Sequence, residues 1–336
     1  MKIFLIAFLC TILLAFGNAQ NDECFSANDN VGPMPKTIRS DLYRGQQEFT
    51  LDMLDAVQKA TPNENVFFSS YSTFHALLLA YFGAKGEVEK ELAQVLRLQW
   101  AKNKKHVSNA YRLEKQSRLS RSKNSSVDFA SADKMYFDKS VNVYPCITEN
   151  FVDEVENIDF QHEPENCRKQ INQWIADVTR NEIPEMLGPD DINQNSMMVL
   201  ANAAYFKGQW LDKFDAKHTK QDIFYTSPSK QSFVDMMHKR GSFSLAIDEQ
   251  IGAHVLQMPY KTSKDESKDP EISMVIILPP FQTPLEQVLA KLNPTTLENA
   301  LKESVAREID ISLPKFNFEQ HLELTPVSVF ILNAAC

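Results

Sequence analysis

A chain of 336 residues, 43% hydrophobic and 24% charged, can bury one large core or two ordinary ones. Its formal charge of −9 argues against general nucleic-acid binding, whose footprint is a basic surface. With 9 glycines, no low-complexity run and no internal repeat, it reads as one continuous domain.

The first residues read as a leader. Lys2 supplies a positive charge, Ile3 to Phe16 an apolar stretch, and Gly17-Asn18-Ala19 small residues at a cleavage position. This pattern predicts a secretory signal over residues 1–19, removed after Ala19, so that the mature protein begins at Gln20 and is secreted and extracellular. The apolar stretch is too short for a membrane span and none later is longer, so no membrane partner is expected. Residues 20–39 read as a polar N-terminal tail.

Once Cys10 leaves with the leader, Cys24, Cys146, Cys167 and Cys336 remain, an even number in an oxidising compartment. No C-x-x-C spacing suggests zinc or redox chemistry. Asn124-Ser125-Ser126 is an N-glycosylation acceptor in a polar, basic stretch, whereas Asn293-Pro294-Thr295 is excluded by its proline.

Ser40 to Ala60 predicts a helix capped by Ser40, with Leu42, Phe49, Met53 and Val57 at helical spacing. A short strand is expected at Asn65–Phe68. Ser72 to Ala84 predicts a helix apolar on nearly every side, which belongs inside a large protein. Glu87 to Leu98 predicts an amphipathic helix with Val88, Leu92, Val95 and Leu96 inward. From Trp100 to Lys123 the chain carries Lys102, Lys104, Lys105, Arg112, Lys115, Arg118, Arg121 and Lys123 against one acid, Glu114. Arg112, Lys115 and Arg118 at i, i+3 steps would form a basic ridge suited to a sulfated, heparin-like polysaccharide, or simply a solvated helix face.

Alternation at Val127, Phe129, Ser131, Asp133, Met135 and Phe137 predicts a strand. A helix is expected from Pro145 to about Glu156, a strand at Ile158–Phe160 and an amphipathic helix over Arg168–Leu187. Cys146 opens the first of these helices and Cys167 the second. The segment between runs out and back, so Cys146–Cys167 is the expected disulfide, worth about 3 kcal/mol in the chain-entropy model, with free or mixed thiols as the alternative. Ser229–Leu256 and Ile272–Leu278 predict strands, Pro284–Leu301 helical turns, and Glu308–Leu313 a strand, which makes the class α+β. No G-x-S-x-G, H-E-x-x-H, phosphate-binding or dinucleotide glycine pattern occurs, and the seven histidines are scattered, so neither an enzyme nor a metal site is expected.

The organising stretch is Val199–Trp210, VLANAAYFKGQW. Its unalternating apolar half predicts a strand covered on both faces. Asn202 within it needs a fixed polar partner, and Gly208 closes it. This stretch resembles the third strand of the large central sheet in serpins, the serpin-fold protease inhibitors. Asn65–Leu98, Phe233–Met237 (FVDMM), His254–Lys261 (HVLQMPYK), Ile272–Pro280 (ISMVIILPP) and Ile309–Leu324 (IDISLPKFNFEQHLEL) resemble further serpin segments, in family order. Ser70 departs from the proline usual at its place. The resemblance implies a serpin domain over residues 40–327, with a large central sheet, a smaller second sheet and about eight helices.

It also implies function. Serpins form an acyl-enzyme with a serine protease, trypsin-like or chymotrypsin-like, at an exposed loop that then inserts into the central sheet. Ser69, Ser72 and Asn202 would be the polar cluster that yields as the sheet opens, and Trp210 would mark where insertion begins. The resemblance fades after Leu324. Residues 328–336 read as an atypical tail, so the C-terminal helix, reactive loop and last strands are expected to be missing. The two classes of function left open are a secreted protease inhibitor, in its full-length form, and a non-inhibitory serpin-fold binding or carrier protein. An inactive isoform lacking the loop is the related variant of the second.

Overall fold

The computed structural model describes residues 35–62, 64–122, 126–261 and 272–317, without the side chains at 119–122. The predicted leader and its cleavage at Ala19, the tail up to residue 34, Cys24, Asn124, Cys336 and the segment after residue 317 lie outside the described residues. So does the side chain of Arg121. The chain divides into two compact units. One holds the residues up to 120 together with Phe129–Phe206, and the other holds Arg121–Asp128 with the residues from Lys207.

The first unit is built on helices and a three-stranded sheet. Helix α1 is Ile38–Ala60, α2 Ser70–Gly83, α3 Gly86–Val95, α4 Lys104–Ser122, α5 Pro145–Asn150 and α6 Pro164–Val178. Strand β1 is Asp128–Asp138, β2 Val155–Ile158 and β3 Met198–Lys207, in the order β2-β1-β3. β2 runs parallel to β1 with Met135 opposite Val155. Side chains alternate across a strand, and β3 uses both faces. Leu200 joins the core of α1, α2, α3 and α4, while Val199, Ala201 and Ala203 join that of α6, with Ile171 and Ile175. The expectation of a strand covered on both sides therefore holds. Among the described residues β3 has a strand neighbour only on its β1 side.

The second unit is a five-stranded antiparallel sheet. Strand β4 is Thr219–Ser227, β5 Lys230–Asp248, β6 Ala253–Pro259, β7 Ser273–Leu278 and β8 Val305–Pro314. The order is β4-β5-β6-β7, and β8 pairs with the middle of β5, from Met236–Pro314 to Leu245–Val305. A 3₁₀ turn, Ala216–His218, precedes β4, and helices α7 (Leu285–Leu289) and α8 (Pro294–Glu303) follow β7. Val288 and Ala300 from these helices bury against Ala246 and Val255 of the sheet. Asn293 caps α8 by accepting from the Thr295 and Thr296 amides, and the Thr296 hydroxyl accepts from the Asn293 amide.

Several boundaries differ from the sequence reading. α1 begins two residues early, and Ser40 does not cap it: its hydroxyl donates to the Thr37 carbonyl. Among the described residues Asn65–Phe68 pairs with no strand, and it leads into α2. α5 stops at Asn150 because Val155–Ile158 is drawn into pairing with β1. α6 stops at Val178, where Arg180 and Asn181 adopt left-handed backbone (φ 57° and 59°) and the Asn181 amide reaches back to the Ala176 carbonyl at 2.7 Å. Polar β4 had no counterpart in the reading; the Ser227-Pro228-Ser229 turn behind it was the available signal.

Candidate functional site

The polar centre of the first unit lies on the face of β1 and β3 that meets α2 and α4. Met135 and Phe137 of β1 share a core with Leu200 of β3, so Asp133 and Asn202, two residues along each strand, turn to the same side. Both are buried, at 5% and 1% exposure. The Asn202 Nδ2 donates to Asp133 Oδ1, and Asn202 Oδ1 has no partner among the described residues. Burial pushes the Asp133 carboxyl up to about 6, against the opposing influence of Asn202 and Arg118.

Helices roof this pair. From α4 the Arg118 guanidinium donates to the Tyr71 hydroxyl and stands 5.9 Å over the Tyr71 ring. Tyr71, on α2, lies over His75 with ring centroids 4.3 Å apart. His75 is 1% exposed, and burial lowers it to about 3, so it is neutral at every ordinary pH. Tyr111 of α4 donates to Glu154 Oε1 at 3.2 Å, and Lys115 donates to the same oxygen at 2.5 Å and to Asp153 at 2.9 Å. Burial raises the Tyr71 and Tyr111 hydroxyls further above their ordinary value.

Its polar groups hold one another: Asn202 and Asp133 join β3 to β1, Arg118 and Tyr71 join α4 to α2, and Tyr111 and Lys115 join α4 to the turn before β2. The structure brings Ser69 and Ser72 together: Ser69 caps α2 by accepting from the Ser72 amide at 3.2 Å, and its hydroxyl donates to Ser72 Oγ at 2.9 Å. Asn202, expected with them, has Asp133 as its hydrogen-bond partner instead. The reading of the sequence missed Asp133, Tyr71, His75 and Tyr111. Asp133 was legible, since it is the one acid in the alternating row from Val127 to Phe137 and points where that row buries.

Trp210 lies in the second unit. It bridges to Tyr260 and stacks on its ring at 4.5 Å and 11°. Gly208 is required there, because a Cβ at that position would come within 2.6 Å of the Tyr260 ring.

Two expectations are corrected. The basic ridge does not form one outward face. Steps of three residues turn a helix about 60° short of a full turn, so Arg118 lies about 120° around from Arg112. Arg118 falls on the inward row with Tyr111 and Glu114, while Arg112 is exposed. Lys104 is also turned in, donating to the Ala84 carbonyl at 2.6 Å and pairing with Glu89 at 3.0 Å. Lys115 is held by its two acids, Lys105 is half-buried and Lys102 is exposed. The disulfide also differs. Cys167 is a free, buried thiol packed with Ile171 and Phe160, raised by burial, whereas Cys146 is disulfide-bonded, and not to Cys167. The predicted helix from Cys146 is cut short by β2, and Cys167 sits on the core side of α6.

Among the described residues no group of acids, histidines and cysteines could hold a metal ion, and no helix is long and apolar enough to cross a membrane.

Comparison with known proteins supports the same assignment. Residues 44–327 match the family model described as Serpin (serine protease inhibitor). The chain is 51% identical over 300 residues to Serine protease inhibitor 88Ea of Drosophila melanogaster, covering 86% of this chain and 70% of that protein. It is 31% identical over 297 residues to Antichymotrypsin-2 of Bombyx mori, covering 85% and 74%. Among solved structures it resembles emu (Dromaius novaehollandiae) ovalbumin, with a TM-score of 0.78 at 24% identity over 87% of this chain and 77% of that one. It also resembles cleaved Serpin 42Da, with a TM-score of 0.76 at 25% identity over 87% and 76%. A family match across most of the chain, a relative at half identity and two solved folds agree with the strand order and with the segments read from the sequence: the chain belongs to the serpin family.

Proposed function

We propose that residues 40–327 form the body of a secreted inhibitor of serine endopeptidases, trypsin-like or chymotrypsin-like, that acts in an extracellular protease cascade and does not itself catalyse. The observation that carries this reading is the 51% identity to a protein named as a serine protease inhibitor, sustained over 300 residues. The second similarity, to a protein named for chymotrypsin inhibition, points the same way. The leader-like N-terminus supports secretion. In this reading the inhibitory event is the family's suicide reaction, with β3 as a wall of the slot that a cut loop enters. Asn202, Ser69 and Ser72 then govern movement and do no chemistry. Among the described residues Lys104, Lys115 and Arg118 are turned inward or paired, so they give a polysaccharide cofactor no support.

The reading finds no reactive loop among the residues up to Cys336, so trapping is assigned to a form that carries one. The test is to incubate two proteins with trypsin-like and chymotrypsin-like proteases: this chain, and a fusion of residues 20–326 to the C-terminal part of the fly relative. The fusion should give an SDS-resistant covalent complex, and this chain should give none. A folded fusion that is only cleaved as a substrate by every protease would contradict the inhibitor reading and favour a binding or carrier role.

A further inference from the structure

Asp133 and Asn202 meet at the one place where β1 and β3 both turn a polar side chain into the helical core. We propose that they form a proton-operated clasp: when Asp133 takes up a proton, its new O–H donates to Asn202 Oδ1, and the two side chains close into a doubly hydrogen-bonded acid–amide pair that holds β3 to β1.

The pair as it stands is half made. Asn202 Nδ2 already donates to Asp133 Oδ1, but Asn202 Oδ1 is buried and unpartnered among the described residues. An ionised carboxylate only accepts hydrogen bonds, so it cannot serve that oxygen. Turning the amide over would face its oxygen to the carboxylate and lose the existing bond. One proton on the second carboxyl oxygen supplies the missing donor and removes a buried charge in the same step.

Burial favours that proton, against Asn202 and Arg118, which lower the carboxyl. From α4, Arg118, Glu114 and Tyr111 face the site; from α2, Tyr71 and His75; from the turn before β2, Glu154, which binds Lys115; and from β3, Asn202. Arg118 is a cation that favours the charged carboxylate, but its guanidinium donates to the Tyr71 hydroxyl, and among the described residues no ion pair joins it to Asp133. Glu114 and Glu154 both oppose a charge on Asp133. Burial adds to this and brings the carboxyl to about 6. The clasp is therefore closed in mildly acidic surroundings and half open at neutral pH, whether or not the protein inhibits a protease.

The linkage has a definite sign. An acid raised from 3.8 to about 6 on folding makes the folded state bind more protons than the unfolded state between those values. Its stabilisation is full below about 4 and is lost as pH rises through about 6. His75, lowered from 6.5 to about 3, works the other way: its stabilisation is present above the unfolded value and lost as pH falls. The two nearly cancel in the wild type between about pH 4 and 6, so total stability alone would hide the clasp.

Two measurements on the full chain expose it. The first is the titration of the Asp133 side-chain carboxyl carbon by NMR in the wild-type protein, which should show a midpoint near 6; a midpoint near 4, the ordinary carboxylate value, overturns the proposal. The second is Asp133→Asn, which can make both hydrogen bonds at any pH. Its folding equilibrium, relative to wild type, should be more favourable at pH 7.5 than at pH 4 by up to about 100-fold, the size of a two-unit shift. A ratio that does not change with pH overturns the proposal. Should Asp133→Asn fail to fold, the wild-type titration alone decides.

Discussion

On the side of β3 turned towards α6, Val199, Ala201 and Ala203 join an apolar cluster that includes Ile171 and Ile175. On the side turned towards α2 and α4, Leu200 is followed by Asn202, bonded to Asp133 of the neighbouring strand, and the covering layer includes Tyr71, His75 and Arg118. One face is closed by dispersion and the hydrophobic effect, which are indifferent to pH. The other depends on a set of polar groups that must satisfy one another, and among the described residues it leaves some unserved, Asn202 Oδ1 and His75 Nδ1 included. A strand held in this way is firm on one side and adjustable on the other, which suits a protein whose family works by admitting a new strand beside this one.

The comparison is broken most severely on the apolar side. Phe160→Ala empties a fully buried site in the α6 core and should cost about 3–5 kcal/mol. That cost, read from urea denaturation, should be the same at pH 7.5 and pH 5, because the titrating groups beside it keep their charge state across that range: the Asp138 carboxylate, which accepts from the Phe160 amide, is held below its ordinary value, and the Tyr136 and Cys167 side chains are raised by burial. A cost that changes strongly with pH would mean that the two faces are not separate.

On the polar side the expected loss is smaller and is shared between partners. Arg118→Met keeps the aliphatic stem but removes the donor to Tyr71, and should cost about 2–3 kcal/mol. In that background Tyr71→Phe should cost much less than it does alone, because its hydroxyl has already lost its partner. Additive losses would show that the Arg118–Tyr71 contact does not hold the roof.

Most of the architecture could be read from the chain. The apolar run through Val199–Ala204 announced a strand covered on both sides, and the near-featureless helix of Ser70–Gly83 announced its own burial. Where the reading failed, a partner distant in sequence decided the outcome. The end of α5 was set by β1, which captured Val155–Ile158. The direction of Arg118 was set by Tyr71, 47 residues away, and Asn202 found Asp133, 69 residues away, and not the serine pair. Spacing along one helix told how the cations repeat but not which row would turn inward. Ser69 and Ser72 were legible as a pair because a helix N-cap is a local device.

The smallest effect belongs to Cys167. As a free thiol in the apolar face it contributes packing alone, so Cys167→Ala should cost about 1 kcal/mol. Non-reducing peptide mapping should return the Cys167 peptide as a thiol and the Cys146 peptide in a disulfide. A Cys146–Cys167 peptide pair would reverse the correction made to the sequence reading.

The direct test of the adjustable face is a double-mutant cycle on Asp133→Ala and Asn202→Ala, run at pH 7.5 and at pH 5. The account predicts a favourable coupling at both, larger at pH 5, where the second hydrogen bond outweighs the charge assistance that the ionised carboxylate gives the first at pH 7.5. Equal coupling at the two values, or none at either, would contradict it.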